Sequence, residues 1–370
     1  MKPASGVDLE LLRQLTKIPA ASGHEDAMIG FLRHRLAEID ADVVVDGIGN
    51  VIARLGGSSQ GPGVMVFAHM DQVGMTVRRL DDDGFVRVDR IGGINRKALQ
   101  ARQVTVHTAA GPIPASIGVM AHHLTKEAER YQVPEVRDLY LDVGARSRRE
   151  LDRLGIRVGD SITFDAELML LNRRFVRAPA LDDRIGCYVL LKVIEAAADV
   201  DLPCTLFATF TVQEEFNVRG SEPAARAIDP HVAICLDVTQ ASDPPDLRGE
   251  NNIRLGGGPA VRLMSFHGRG TLGGLIPNPK LVALIEEAAS GSGVELQRGA
   301  ATGGLTDASF LQLLHHGIPS VDIGVPCLYS HSPVEMVCLD DVEDTVKLLV
   351  AALTSLTGEV DFSRGVPWTK

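Results

Sequence analysis

The chain has 370 residues, with 45% hydrophobic and 23% charged side chains, ordinary globular values that exclude a disordered polymer. At roughly 150 residues per domain there is room for two or three domains. A core of that size needs no disulfide support. Lys and Arg number 37 against 48 Asp and Glu, a formal charge of −11; such a surface repels phosphate backbones and argues against nucleic acid as a partner. Cys187, Cys204, Cys235, Cys327 and Cys338 include no Cys-x-x-Cys pair and read as buried small hydrophobes of a reducing cytoplasm. Met1 to Ala20 has no apolar signal core, and no apolar run is long enough to span a bilayer. These features lead us to expect a soluble cytoplasmic protein with no membrane partner.

In chain order, two helical patterns come first, Val7–Lys17 and His24–Ile39, the second with Ser22 and Glu25 spaced as a capping box. Short strand patterns follow at Asp42–Asp46 and Asn50–Leu55. Val64–Ala68 is continuously apolar, as in a strand buried on both faces. From Thr76 to about Phe164 the texture changes to short alternating strands (Thr76–Leu80, Phe85–Arg90, Val104–Thr108, Ile113–Val119, Asp138–Val143, Ser161–Asp165) with one helix, Ser147–Leu154, the pattern of a small barrel or sandwich. After about Arg173, helices Asp182–Ala198, Ser221–Ile228, Pro279–Ser290, Asp307–His315 and Asp340–Leu356 alternate with strands Cys204–Val212, His231–Asp237, Ala260–Phe266 and Ser320–Val325. Strands separated by helices imply a sheet covered on both faces. We therefore expect an α/β fold, a central mostly parallel or mixed sheet flanked by helices, with an inserted all-β barrel-like domain. The expected boundaries are 1–72 and 167–370 for the catalytic α/β domain and 73–166 for the insertion.

Two motifs lack their context. Gly57–Gly61 matches the G-x-S-x-G of serine hydrolases but lies in a loop between strands instead of a strand-to-helix elbow. Gly268–Gly273 matches G-x-G-x-x-G, yet Gly274 and Pro277 delay the next helix to Pro279, which argues against a dinucleotide fold.

The informative residues sit at strand ends. His69 and Asp71 close the buried strand, two apart and so on the same side; a lone His is ordinarily structural, but an adjacent Asp is how a protein orients an imidazole toward a metal. Asp182 begins a helix, where an acid also serves as a cap. Glu214-Glu215 follows an apolar strand, a costly place for two carboxylates. Neighbours in an extended chain point apart, so a metal ligand beside a general base fits them better than a facing glycosidase dyad. Asp237 ends another strand, and His331 lies in a loop after the last one. Ligand sites of such sheets gather beyond the carboxyl ends of the strands. Donors of N and O without S suit zinc, cobalt or manganese, and five ligands can serve two ions if one carboxylate bridges. Two dications and three carboxylates leave +1, which a bridging hydroxide neutralises. Such a pair activates water and polarises a carbonyl.

Taken together, His69-Met70-Asp71-Gln72-Val73-Gly74, Ala180-Leu181-Asp182-Asp183-Arg184, Val212-Gln213-Glu214-Glu215, Leu236-Asp237-Val238-Thr239 and His331-Ser332-Pro333, with Asp138–Ala145 between them, resemble the tetrahedral aminopeptidases. These are cytosolic dinuclear-zinc exopeptidases that include glutamyl and deblocking aminopeptidases. The resemblance covers nearly the whole chain. It implies one metal held by His69, Asp182 and Asp237 and a second by Asp182, Glu215 and His331, with Glu214 as general base and Asp71 holding the His69 imidazole. It further implies removal of N-terminal residues from short peptides, a dimerising β insertion, and a homo-oligomer, the tetrahedral dodecamer. The chain departs from the family pattern at Phe216-Asn217, where relatives carry Val-Gly, at Leu305 in Gly303-Gly304-Leu305-Thr306-Asp307, and around Gly268–Gly274. These departures bear on specificity. The other readings are a carboxypeptidase or amidohydrolase on the same dimetal site, a nicotinamide oxidoreductase, and a non-catalytic peptide-binding assembly.

Overall fold

A computed structural model describes residues 5–39, 41–56, 61–268 and 273–365. Among them a twelve-stranded mixed sheet forms one body and a six-stranded closed barrel the other, the α/β sheet with a barrel-like insertion expected above. The middle of the large sheet is parallel: Thr205–Thr211, Gly63–His69, Val232–Gln240 and Ser320–Leu328 lie side by side in that order. Antiparallel strands extend it, with Val51–Leu55 and Asp42–Val45 on one side and Glu335–Cys338, Phe175–Ala178 and Met169–Leu171 on the other. Ala260–Phe266 branches off beside Ser320–Leu328 and pairs with Gln297–Thr302.

The apolar run Val64–Ala68 is explained by its surroundings. Val64, Val66 and Ala68 pack with the helices Leu9–Lys17, Asp26–Leu36 and Leu181–Ala198, while Met65 and Phe67 join a second cluster with Ala224, Ala233 and Leu311 on the opposite face. Both faces of the strand are covered, so alternation disappears from its sequence. Phe67 is fully buried, and Phe67→Ala is expected to cost about 3–5 kcal/mol, measured as a lowered denaturant midpoint.

The barrel strands run Gly74–Leu80, Phe85–Ile91, Tyr140–Asp142, Gly111–Ile117, Gln103–Thr108 and Ser161–Phe164 around the ring. They enclose their own core of Val77, Val86, Val88, Val104, Leu141 and Ile162. The chain enters the barrel at Gly74, five residues after His69, and leaves it before Met169.

Three local expectations fail. The second helix spans Asp26–Leu36 without a side-chain cap, because Ser22 Oγ donates to Asp71 and Glu25 accepts from Gly23 and Gln213; a tertiary network has claimed the capping residues. Asp307–His315 is not a helix but two 3₁₀ turns, Asp307–Ser309 and Leu311–Leu313, with Thr306 tied to Asp322. The strands Met169–Leu171, Phe175–Ala178, Gln297–Thr302 and Glu335–Cys338 carry no signal that the sequence reading recognised; Gln297–Thr302 is mostly exposed and has no apolar alternation. Of the two discounted motifs, residues 57–60 and 269–272 lie outside the described residues. The chain around the second runs from Ala260–Phe266 through Gly274–Leu275 to a helix at Pro279, so among the described residues no helix follows the first strand directly, as a dinucleotide scaffold would need.

Candidate metal centre

The parallel strands deliver the polar residues to one rim. His69 ends Gly63–His69, Glu214 and Glu215 follow Thr205–Thr211, Asp237 lies in the second half of Val232–Gln240, and His331 follows Ser320–Leu328. Asp182 enters from the start of the helix Leu181–Ala198, where its own backbone is not helical (φ −79°, ψ 104°). The structure brings all five expected ligands together. His69, Asp182 and Asp237 offer atoms within 4.8 Å of one another, and so do Asp182, Glu215 and His331. Asp182 belongs to both groups: its Oδ1 is 3.2 Å from His69 Nε2 and its Oδ2 is 3.4 Å from His331 Nε2. Glu215 Oε1 is 3.4 Å from the same His331 nitrogen.

These separations suit a metal. Ligand bonds of about 2.0–2.2 Å in a tetrahedral shell place neighbouring donors about 3.3–3.6 Å apart. Glu215 Oε1 is buried without a hydrogen-bond partner, a costly state that a cation would relieve. The donor set of two imidazoles and three carboxylates is that of a zinc, cobalt or manganese site.

Surrounding groups fix the donors. His331 Nδ1 donates to the Gly93 carbonyl at 2.8 Å, and Asn95 N–H donates to the His331 carbonyl at 3.2 Å. Since a carbonyl can only accept, Nδ1 carries a proton, and in the neutral imidazole that a metal requires Nε2 would be the lone-pair nitrogen facing Asp182 and Glu215. The Gly92–Asn95 segment that follows the barrel strand Phe85–Ile91 thus orients a residue of the loop leaving the sheet. A side chain at Gly93 would begin 3.1 Å from that same Nδ1.

Asp71 does two things. Its Oδ1 lies 3.4 Å from His69 Nδ1, and its two oxygens also accept the backbone N–H groups of Glu214 at 3.0 Å and Glu215 at 3.1 Å. Glu25 accepts the preceding amide, that of Gln213. Three successive amides therefore hang from two buried carboxylates, which holds a tight arch in which Gln213, Asn217 and Val218 all have positive φ. Asn217, at φ 78°, sits in the left-handed region, which Asn tolerates better than most other non-glycine residues.

Burial pushes the carboxyls of Glu215 up to about 8 and of Asp237 to about 7, with the Asp182 charge adding to both, while Arg262 pulls Asp237 the other way. Glu214 rises well above the usual range through burial, and the Glu215, Asp237 and Asp307 charges reinforce this against the His69 imidazole. Its Oε2 lies 4.0 Å from His69 Nε2. Burial opposes a charge on His69 and His331, yet neighbouring carboxylates outweigh it and hold His331 up to about 11 and His69 well above its ordinary value.

The cluster opens into a cavity of about 880 Å³ lined by Phe216, Asn217, Arg262, Gly303, Gly304 and Leu305 among others. Two of the three specificity departures, Phe216-Asn217 and Leu305, therefore face it. Sequence reasoning missed Glu335, which accepts the backbone amides of Asp182 and His331; it missed Arg262 beside Asp237 and the role of Glu25 under the arch. The link of Glu335 to Asp182 and that of Glu25 to Gln213 join groups remote in sequence, so local spacing carries no signal for them.

Two solved structures that superpose on this chain are described as peptidases. The aminopeptidase APDkam598 of the archaeon Desulfurococcus kamchatkensis superposes with a TM-score of 0.90 at 35% identity, over 97% of this chain and 98% of that one. The TET1 peptidase of Pyrococcus horikoshii, described as assembling into a tetrahedron or a large octahedral shell, superposes at 0.84 with 32% identity over 94% and 99%. Fold and sequence similarity together define a hydrolase of the aminopeptidase class. The M42 glutamyl aminopeptidase model matches residues 49–348, and the chain belongs to that family. Among curated relatives, the lysyl aminopeptidase of Pyrococcus furiosus is 34% identical over 360 residues, 95% of this chain and 98% of its own length. The glutamyl aminopeptidase of Lactococcus lactis is 32% identical over 352 residues, 94% and 96%. No helix among the described residues is long and apolar enough to cross a membrane.

Proposed function

We propose that the protein removes N-terminal residues from short peptides at a dinuclear metal site, with His69, Asp182 and Asp237 holding one ion and Asp182, Glu215 and His331 the other. The observation that carries this reading is the split of one carboxylate, Asp182, between two imidazoles at ligand spacing. Zinc is the first choice for the metal and cobalt or manganese the others. When bound, such ions supply Lewis acidity, lowering the pKa of water and polarising a carbonyl. The chain's own chemistry falls to Glu214. Its carboxylate lines the cavity beside the cluster, close enough to take a proton from water at Oε2 and return it to the leaving amine. Asp71 acts through others, orienting His69 and fixing the backbone of the Glu pair.

The test is hydrolysis of aminoacyl-p-nitroanilides by metal-loaded protein, run beside N-blocked and C-blocked dipeptides. Cleavage of the C-blocked and not the N-blocked peptide supports an exopeptidase that needs a free amine; the reverse preference would favour a carboxypeptidase on the same site.

Leu305 faces the cavity, so Leu305→Gly is expected to raise kcat/KM for peptides with large first residues about tenfold or more, since even one methylene of pocket space is worth about 10–200-fold. A panel of p-nitroanilides graded by size reads this directly.

The expected boundaries put residues 73–166 as the inserted unit, and we propose that it carries self-association into a homo-oligomer of the dodecamer type. Val119, Met120, Leu124 and Tyr131, which are 53%, 56%, 65% and 89% exposed, lie on its Gly111–Ile117 to Tyr140–Asp142 crossover. Apolar side chains gathered in this way mark association surfaces, and native mass measurement checks the assembly. The five free, buried thiols fit a cytoplasmic setting.

A further inference from the structure

We propose that Glu335 is a positioning residue that sets the spacing between Asp182 and His331 and so tunes the affinity of the ion these two share; the proposal rests on the dinuclear reading above. Asp182 and His331 follow two strands that run in the same direction on either side of Glu335–Cys338. The first follows the strand Phe175–Ala178, and the second follows Ser320–Leu328 and sits in the left-handed region at φ 62°, a conformation a non-glycine residue keeps only when its surroundings hold it. Glu335 opens the strand Glu335–Cys338, whose register sets it directly opposite Ala178, beneath the turn that leads to Asp182.

From there one carboxylate reaches both backbones. Oε2 accepts the Asp182 amide at 2.9 Å and Oε1 accepts the His331 amide at 2.8 Å. Glu335 is 1% exposed, and among the described residues no Lys or Arg lies within ion-pair distance of it. A buried carboxylate without a Lys or Arg partner is costly to keep, and a neutral amide or hydroxyl could cap a single N–H. Only a two-oxygen acceptor caps both with one rigid planar group, which fixes one ligand-bearing backbone relative to the other. Glu335 neither lines the cavity nor belongs to either ligand group, so its effect passes through its neighbours. Partners of this kind are typically worth about 10–100-fold in metal affinity.

Glu335→Gln keeps the shape but turns one acceptor into an NH₂ group that cannot accept. The full-length protein, stripped with a chelator, is titrated with zinc alone by calorimetry, and its melting temperature is read without ions. In the variant we expect one of two binding steps to weaken about 10–100-fold. The ion-free melting temperature should be unchanged or higher, and kcat should be lost at limiting zinc and recovered at excess with KM unmoved. Two ions bound at wild-type affinities in Glu335→Gln, or a lowered ion-free melting temperature as the only change, would overturn the positioning role. Fewer than two ions on the wild-type protein would instead overturn the dinuclear reading and this proposal with it. Should the Gln variant fail to fold, Glu335→Asp, which keeps both oxygens one methylene shorter, carries the same comparison and the same outcomes.

Discussion

Glu214→Gln is expected to lower kcat by about 10²–10⁴-fold while the protein still binds two ions per chain. The argument is one of position and of environment. Glu214 is buried at the cavity wall, faces the cluster without belonging to either ligand group, and has its carboxyl raised by burial, as perturbed groups at functional sites are. Its backbone is pinned by Asp71, so Gln should occupy the same place without the ability to take a proton. Steady-state rates on a p-nitroanilide, paired with metal analysis of the same sample, check it. Near-normal turnover with full metal content would remove Glu214 from the base role, and loss of metal would make it a ligand.

Ion removal should abolish activity and make stability fall as pH rises. In the ion-free protein the carboxyls of Glu25 and Asp237 are raised to about 7 and those of Glu215 and Glu335 to about 8, and the His331 imidazole to about 11. A raised carboxyl or imidazole keeps its proton in the folded chain at a pH where the unfolded chain has released it. Its contribution to stability is therefore complete below the unfolded pKa and is lost as pH climbs through the folded one. Both kinds of group act in the same sense between about pH 5 and pH 8. Asp71 and Asp182 are lowered and lose their contribution only in more acid solution. Ions require deprotonated ligands and bind more tightly as pH rises, so added zinc should offset the loss most at the alkaline end. Melting curves of chelated and zinc-loaded protein across that interval test this. A flat ion-free profile, or equal stabilisation by zinc at both ends, would mean that the cluster does not bind ions as proposed.

Much of the site was legible because its residues stand where strands and helices begin or end. His69 closes an apolar run, Glu214-Glu215 follows another, and Asp182 starts a helix; a polar residue at such a joint is visible in one dimension. The sheet class was also legible, since burial on both faces of Gly63–His69 erases alternation and the barrel strands restore it.

What the sequence determined by itself was thus the periodicity of its elements and the donors offered at their ends. Tertiary structure alone decided which donors meet and what holds them. Ser22 and Glu25 had the spacing of a cap, yet Asp71 and the Gln213 amide claim them, because a buried carboxylate and a buried N–H cost more to leave unpaired than an exposed helix end, which water can satisfy. Glu335 acquires its place from strand register, and Gly93 acquires its hold on His331 from the packing of the barrel against the sheet. Hydrogen bonds between groups more than a hundred residues apart leave no trace in local spacing, so only the folded chain could reveal them.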